Sequence, residues 1–260
     1  LGALGANVDK PPFNDIRVRQ AMMMSLDFNS INQSLYGGKG QIVTWPISYF
    51  PEYKDLYVAW DAPDFPESAK ALYTYNPDKA NQLLTEAGYP NGFKTSLLLT
   101  APDVDYFSIW KNMWSKVGID LTLDVRESAA ILAMSQSGTF DGFNIGGAAD
   151  AQVWMTSSFM TGDSQSNISR VNDPVINKAL DDARLAAVTK SEAEAFRIYR
   201  EMVKYILPQA YAIPRHKVPQ SHFWWPWVKN YSGELGVGYD DSSWPQWVWY
   251  DEALKKSMGH

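Results

Sequence analysis

The sequence predicts an α/β protein whose mixed sheet is flanked by helices, and three observations point to this class. From residue 94 to residue 146, apolar strand patterns alternate with helical patterns. A capped helix over 76–88 leads into this region through the turn Pro90-Asn91-Gly92. Two long amphipathic helices follow between residues 173 and 206. A β-α-β order of this kind favours right-handed crossovers between parallel strands.

The first part of the chain carries clear start and stop signals for helices. One helix is predicted to begin at Asn14 or Asp15, and its methionines are interpreted as core. In the next helix Asn76 is the N-cap, Pro77 suits the first turn and Gly88 ends the helix in a left-handed conformation. Residues 40–74 are rich in proline and aromatic residues and are interpreted as a long ordered loop.

The remaining elements follow from hydrophobic periodicity. The pattern predicts strand 94–100, a helix near 103–117, strand 119–125, a short helix at about 128–137 and a strand over Phe140–Ile145. Asp173-Pro174 begins one long helix, and Thr189 with Glu192 has capping-box spacing for the next. The apolar run Tyr211–Pro214 is predicted to be a strand.

Composition limits the possible functions. The net charge of −6 and the pI near 5.1 argue against a nucleic-acid partner, because no basic surface stands out to neutralise phosphates. The absence of cysteine excludes thiolate metal sites and cysteine nucleophiles, and it is compatible with an exported or a cytoplasmic protein. Leu1 is not an initiator methionine, so we expect a processed protein or an excised piece. The three histidines follow no metal-ligand spacing, and no nucleophile elbow or phosphate-binding loop is present. We expect no enzyme, no cofactor and no metal.

Tryptophan is unusually frequent, with 11 residues, six of them between Trp224 and Trp249. Packing explains most buried tryptophans, but an aromatic face can also stack on a sugar or an aromatic ligand. Trp45 and Tyr49, in the long loop, are therefore candidate ligand contacts, although a loop packed by its own aromatic residues fits equally well.

Several segments resemble a known family in an ordered series along the chain. They are Asn7–Ala21 (NVDKPPFNDIRVRQA), Tyr75–Phe93 (YNPDKANQLLTEAGYPNGF), Lys116–Leu121 (KVGIDL) and Gly138–Asp141 (GTFD). Together they resemble the family 5 extracellular solute-binding proteins of bacterial ABC importers, which take up peptides, nickel chelates or oligosaccharides. The usual Arg after Asp27 is Phe28 in this chain.

The resemblance implies a fold and a division of the chain. The expected fold is the second lobe of a periplasmic-binding-protein-like (type II) structure, with C-terminal strands that belong with a missing first lobe. Residues 1–13 would form the hinge and crossover strand, residues 14–217 the α/β lobe, and residues 218–260 a Trp-rich segment that returns to the first lobe.

The resemblance also points to a ligand site at the end of the strand that precedes Gly147. Peptide binders of the family have a Trp-x-x-Asp-Tyr segment here, whose carboxylate pairs with the α-amino group of the peptide, and Asp150 matches that Asp. Gly147 stands where the family has Trp, and Ala151 where it has Tyr. Asn144, Gln152 and Trp154 would instead suit a polyhydroxylated ligand, so peptide and oligosaccharide both remain open.

The function implied is that of a solute-binding component of an ABC importer, in which two lobes close over the solute. This chain would supply one wall of the cleft. The expected partners are an oligopeptide or oligosaccharide and the permease subunits in the membrane, with no nucleic acid. A monomeric, membrane-associated lipoprotein in the periplasm or outside the cell is expected. The tryptophans leave two rivals: a glycan-acting enzyme or carbohydrate-binding module, and an interaction domain with a Trp224–Trp249 partner surface.

Overall fold

The computed structural model describes residues 2–47, 54–147, 167, 169–218, 223–231 and 247–260. The chain divides into two compact units, Leu1–Val218 and Pro219–His260. The first unit contains a five-stranded sheet, and the second contains a two-stranded sheet. No helix within the described ranges is long and apolar enough to cross a membrane.

The sheet of the first unit is mixed. Its strands are β1 (Gly2–Ala6), β2 (Lys94–Leu99), β3 (Asp120–Val125), β4 (Phe143–Gly147) and β5 (Ala212–Pro214). They lie in the order β3-β2-β4-β1-β5. β2 is parallel to β3 and β4, whereas β1 is antiparallel to β4 and β5. β2, β3, β4 and β5 therefore run in one direction, and β1 runs against them.

Eight helices of the first unit can be given bounds within the described residues. They are α1 (Ile16–Met24), α2 (Phe28–Tyr36), α3 (Glu67–Lys70), α4 (Pro77–Glu86), α5 (Val104–Ser115), α6 (Ser128–Ser137), α7 (Pro174–Thr189) and α8 (Glu192–Ile206). In α4 the predicted signals are confirmed: Asn76 accepts a hydrogen bond from the Lys79 amide at 3.0 Å, and Gly88 has a φ of 92°. The predicted bounds of α6 are confirmed as well.

Two predicted elements need correction. The loop predicted over 40–74 contains α3 and a 3-10 turn at Ala71–Tyr73. Pro66 precedes α3, and within the helix Lys70 forms an ion pair with Glu67 across one turn. The strand predicted over Phe140–Ile145 is observed as β4, from Phe143 to Gly147. Its start is displaced because Gly142 passes close to the backbone of β2, and pairing begins only beyond it.

The N-cap of α8 was also predicted at the wrong residue. Ser191, not Thr189, accepts the hydrogen bond from the Glu194 amide, at 3.1 Å. Thr189 still belongs to the last turn of α7, where its hydroxyl donates to the Leu185 carbonyl at 2.7 Å. Serine and threonine are both good caps, so the sequence spacing alone left the choice between them open.

We expect Ser191→Ala to lower the free energy of unfolding by about 1 kcal/mol, because it removes the acceptor for a first-turn amide of α8. Thr189→Ala, the matched control, should change it by less than about 0.5 kcal/mol, since the Thr189 hydroxyl is exposed and bonds within its own helix. Urea titrations of both variants measure the difference. A larger loss from Thr189→Ala would contradict the observed cap.

Two hydrophobic cores support the sheet. The first lies between the sheet and α1, α4 and α5; its largest buried side chains are Trp110, Trp114, Phe13, Phe107 and Met22. The second joins α7 and α8 to the segment around Trp45–Ala69; its members include Ile47, Leu56, Phe65, Ile176, Leu180, Tyr199 and Met202. The methionines of α1 are buried, which confirms their interpretation as core.

Polar contacts tie the segment before α3 to α8. Arg200 binds Asp64 at 2.7 Å and also donates to the Tyr57 carbonyl, and Lys204 binds Asp64 at 2.9 Å. These two cations, Lys204 first, hold the pKa of Asp64 at about 2. The otherwise irregular segment is thereby fixed on the second core.

The second unit is small and rich in aromatic residues. Strands β6 (Val228–Lys229) and β7 (Trp249–Tyr250) pair antiparallel and precede helix α9 (Glu252–Ser257). Trp225 and Trp227 stack with ring centroids 4.5 Å apart. Several large aromatic side chains of this unit are exposed: Phe223, Trp224, Trp225, Trp247, Trp249 and Tyr250.

Candidate functional site

The carboxyl ends of four strands meet at one edge of the five-stranded sheet. β2, β3, β4 and β5 run in the same direction and end at Leu99, Val125, Gly147 and Pro214. In α/β proteins ligands bind at this edge, where the loops that leave the strands converge. We use the name carboxyl edge for residues 100–103, 126–127, 147 and 215–217.

Two predicted site residues lie on β4. Gly147 is the last residue of the strand and is paired with Gly2. Asn144 lies between Gly5 and Leu98 of the neighbouring strands and is 1% exposed. Its Oδ1 atom is buried and accepts no hydrogen bond from any described residue. A buried acceptor without a donor costs about 1–3 kcal/mol, so this atom is available to a donor from outside the described residues.

Five further site residues were predicted, and one of them, Trp45, lies within the described residues. Trp45 is 6% exposed and packs in the second core, a position that favours packing over direct ligand contact. Tyr49, Asp150, Gln152 and Trp154 lie outside the described residues. Their roles therefore stay predictions.

The structure brings together charged residues that sequence reasoning did not select. The Arg215 guanidinium pairs with Asp103 at 2.9 Å, between Nη1 and Oδ1. It lies over the rings of Tyr106 and Phe107, with its central carbon 4.8 and 5.1 Å from the two ring centroids. Asp103 also accepts a hydrogen bond from the Thr100 hydroxyl at 2.9 Å. A carboxylate, a guanidinium and a hydroxyl are thus held in place at the carboxyl edge.

His216, next to Arg215, is buried and fully hydrogen-bonded. Nε2 lies 2.7 Å from the Phe28 carbonyl, which can only accept, so Nε2 carries the hydrogen. Nδ1 then accepts from the Tyr106 hydroxyl at 3.1 Å, and the same hydroxyl oxygen accepts from the His216 amide. Burial lowers the pKa of His216 and raises that of Tyr106 to about 12. The imidazole is therefore held neutral and anchors the end of β5.

This network predicts a loss of stability in mild acid. The folded state keeps the pKa of His216 below its ordinary value of 6.5, so the unfolded chain binds the proton more readily. The stabilising contribution is complete above pH 6.5 and decreases as the pH falls through the depressed folded pKa. Urea titrations between pH 7 and pH 5 should give a free energy of unfolding that decreases, and His216→Asn should reduce this dependence. An equally steep decrease in His216→Asn would contradict this account.

Each member of the charged pair follows a strand that the sequence predicts. Asp103 follows the predicted strand 94–100, and Arg215 follows the predicted strand Tyr211–Pro214. In α/β proteins ligands bind at the carboxyl ends of strands, so both residues occupy positions of the same kind as the segment after Gly147. The signal was present, but only the strand order places both residues at the same edge.

The carboxyl edge is suited to polar recognition. It offers a rigid guanidinium, a carboxylate and a hydroxyl, whereas the neighbouring imidazole already uses both ring nitrogens. Within the described ranges, no group of three His, Asp or Glu side chains could hold a metal ion. The guanidinium, the carboxylate and the hydroxyl are groups that can form hydrogen bonds with a polar ligand.

The first unit has a known fold. The structure of the ABC transporter-associated periplasmic binding protein DppA from Helicobacter pylori, in complex with peptide STSA, superposes with a TM-score of 0.67 at 23% identity. The match covers 83% of this chain and 41% of that chain. The mixed sheet flanked by helices is thus the type II periplasmic-binding-protein fold, as predicted.

Sequence comparison identifies the family. Residues 1–169 match the family described as bacterial extracellular solute-binding proteins, family 5 Middle, and the chain belongs to this family. Its members bind solutes and are not enzymes, which confirms the expectation of a non-enzyme. The glycan-acting enzyme considered from the tryptophan content is thereby set aside.

Two relatives illustrate the range of the family. The heme-binding protein A of Haemophilus influenzae is 29% identical over 254 residues, which are 90% of this chain and 42% of the relative. The periplasmic oligopeptide-binding protein OppA of Salmonella typhimurium is 27% identical over 239 residues, which are 88% of this chain and 41% of the relative. The chain thus spans about two fifths of the length of these relatives.

Proposed function

We propose that the protein is the solute-binding component of an ABC importer and that this chain forms one wall of its solute cleft. The observation that carries the proposal is the carboxyl edge, where four strands end and where Arg215, Asp103 and Thr100 are fixed by mutual contacts. Solute would be captured between this wall and a second lobe, and the closed protein would deliver it to the membrane permease.

An oligopeptide is the solute we favour. The relative from Salmonella typhimurium is named for oligopeptide binding, and the structural neighbour from Helicobacter pylori holds a peptide. Asp150, three residues beyond the end of β4, would pair with the peptide α-amino group. An oligosaccharide is the alternative, in which Asn144, Gln152 and Trp154 would contact hydroxyl groups and a sugar face.

The rest of the chain would connect and complete the two lobes. Residues 1–13 would form the hinge and crossover strand, and residues 218–260 would return to the first lobe. The exposed aromatic side chains of the second unit support this, because a contiguous apolar surface is costly in water. The mature protein would work as a monomer in the periplasm or outside the cell, held at the membrane as a lipoprotein.

Native mass spectrometry of the protein as its gene encodes it, purified without refolding, tests this function. A series of co-purified peptides is expected. Co-purified hexose oligomers would instead indicate an oligosaccharide as the solute. Asn144, Gln152 and Trp154 would then be assigned as sugar contacts. A protein that carries no solute and binds neither a peptide pool nor an oligosaccharide pool would overturn the proposal.

A further inference from the structure

Arg19, on α1, is a buried cation, and no described carboxylate forms an ion pair with it. The residue is 7% exposed, and its guanidinium donates to the carbonyls of Phe13 and Gln209 at 2.6 and 3.0 Å. Its central carbon lies 5.0 Å from the centroid of the Tyr211 ring. Within the described residues, the arginines that do form ion pairs are Arg17, Arg126, Arg184, Arg197, Arg200 and Arg215. The described groups that bond to the Arg19 guanidinium or stack on it are thus neutral.

Two carboxylates belong to the elements around Arg19, and both are bound to other groups. Asp15, the N-cap of α1, forms an ion pair with Arg17 and also accepts from the Arg17 amide at 2.8 Å. Asp173 accepts from the Tyr211 hydroxyl at 2.9 Å and caps α7. Burial lowers the pKa of the Arg19 guanidinium, although Tyr211 and Asp15 oppose this shift. A buried charge in a protein is normally paired, so the lack of a bound carboxylate at Arg19 needs an explanation.

A cavity of about 10 Å³ adjoins the Arg19 side chain, between α1 and the sheet. Phe13 and Tyr211, which contact the guanidinium, line this cavity as well, so the cavity lies beside the charged head of the arginine. Apolar residues of the sheet, such as Leu4 and Phe143, form the rest of its wall. A cavity of this size has room for one guest of about the size of a water molecule.

The guanidinium has donors left over for such a guest. Of its five N–H groups, the described hydrogen bonds use the one on Nε and one of the two on Nη1. The Nη2 amino group donates to no described residue. A water molecule could accept from Nη2, but the apolar side chains of the wall offer no acceptor for its hydrogens. A monatomic anion needs only donors and a nearby positive charge, and Arg19 supplies both.

We propose that the cavity beside Arg19 binds one chloride ion, which pairs with the guanidinium and joins α1 to the sheet. The size of the cavity selects a monatomic anion, because a phosphate or a carboxylate group would not fit. The site lies toward the amino ends of β4 and β5, since Phe143 begins β4 and Tyr211 directly precedes β5. It is therefore separate from the carboxyl edge, and the inference does not depend on the proposed function.

A first experiment measures the effect of chloride on the stability of the chain. Urea titrations are made at constant ionic strength while sodium chloride replaces sodium gluconate, whose anion is too large for the cavity. An ion that binds only the folded state raises the ratio of folded to unfolded molecules. For one bound chloride, this ratio should rise by up to tenfold for each tenfold increase in chloride concentration above the Kd.

Two variants separate the site from the general effect of exchanging the salt. Arg19→Met removes the guanidinium and should abolish the specific dependence on chloride. Arg197→Met is the matched control, because Arg197 lies on the exposed face of α8 and pairs there with Glu194. This variant should keep the dependence of the wild type. The same dependence on chloride in both variants, or a wild type that does not respond to chloride, would overturn the proposal.

A second experiment uses the wild-type chain and so decides even if Arg19→Met fails to fold. Crystals are grown with sodium bromide in place of sodium chloride, and diffraction is measured at the bromine absorption edge. An anomalous peak is expected in the cavity, within hydrogen-bonding distance of Nη2 of Arg19. Electron density there without an anomalous signal would identify a water molecule and overturn the proposal. An empty cavity, or bromide at exposed surface positions only, would overturn it as well.

Discussion

Replacing Trp114 by alanine is expected to lower the free energy of unfolding by about 3–5 kcal/mol. The side chain is fully buried in the first core, where it packs against Trp110 and Phe143 with ring centroids 5.6 and 5.5 Å apart. Its Nε1 also donates to the Met22 carbonyl at 2.9 Å. Truncation would leave a large cavity between α5 and the sheet and would break a link to α1. Urea unfolding monitored by circular dichroism measures the loss.

Trp60→Ala is the matched control for this prediction. Trp60 is 39% exposed, so the same truncation there removes less buried area. We expect a smaller loss, of about 1–2 kcal/mol. If both variants lost a similar free energy of unfolding, Trp114 would not have the central place in the first core that its packing implies.

Gly142→Ala is expected to cost at least about 2 kcal/mol, because a Cβ atom at this position would overlap the main-chain oxygen of Ser96 on β2. The obstacle is backbone, which cannot rotate away as a flexible side chain could. β4 would have to separate from β2 next to the pair Leu97–Phe143. Since β4 leads into the predicted ligand segment, solute binding by the protein as its gene encodes it should weaken as well.

Gly88→Ala separates this close approach from the general cost of replacing a glycine. Gly88 has a positive φ of 92° but open space around the position of a Cβ atom. Its replacement should cost about 1 kcal/mol through backbone strain and leave solute binding unchanged. Equal effects of the two variants on stability and binding would contradict the importance of the β2–β4 contact.

Elements whose signals are local could be predicted from the sequence. Cap, first-turn proline and terminal glycine of α4 lie within thirteen residues, from Asn76 to Gly88, and all three are observed. Features that depend on residues distant in the sequence were predicted less accurately. The start of β4 is set by the approach of Gly142 to Ser96, and the choice of Ser191 over Thr189 depends on where α7 ends.

The candidate site shows the same division. Asn144 and Gly147 were selected because they lie at the end of one strand, and the structure places both on β4. The pair of Arg215 and Asp103 was missed because 112 residues separate its members and only the sheet order brings them together. Asp150, Gln152, Trp154 and Tyr49 remain predictions from the resemblance and the sequence pattern.

Hydrogen–deuterium exchange of the protein as its gene encodes it, with and without its co-purified solute, tests the central claim most directly. The claim is that solute binds at the carboxyl edge of the five-stranded sheet. Bound solute should slow exchange of the amides over 101–106 and 215–217, and leave those at the opposite edge, over 88–93 and 116–119, unchanged. Protection of the opposite edge, or unaltered exchange over 101–106 and 215–217, would contradict it.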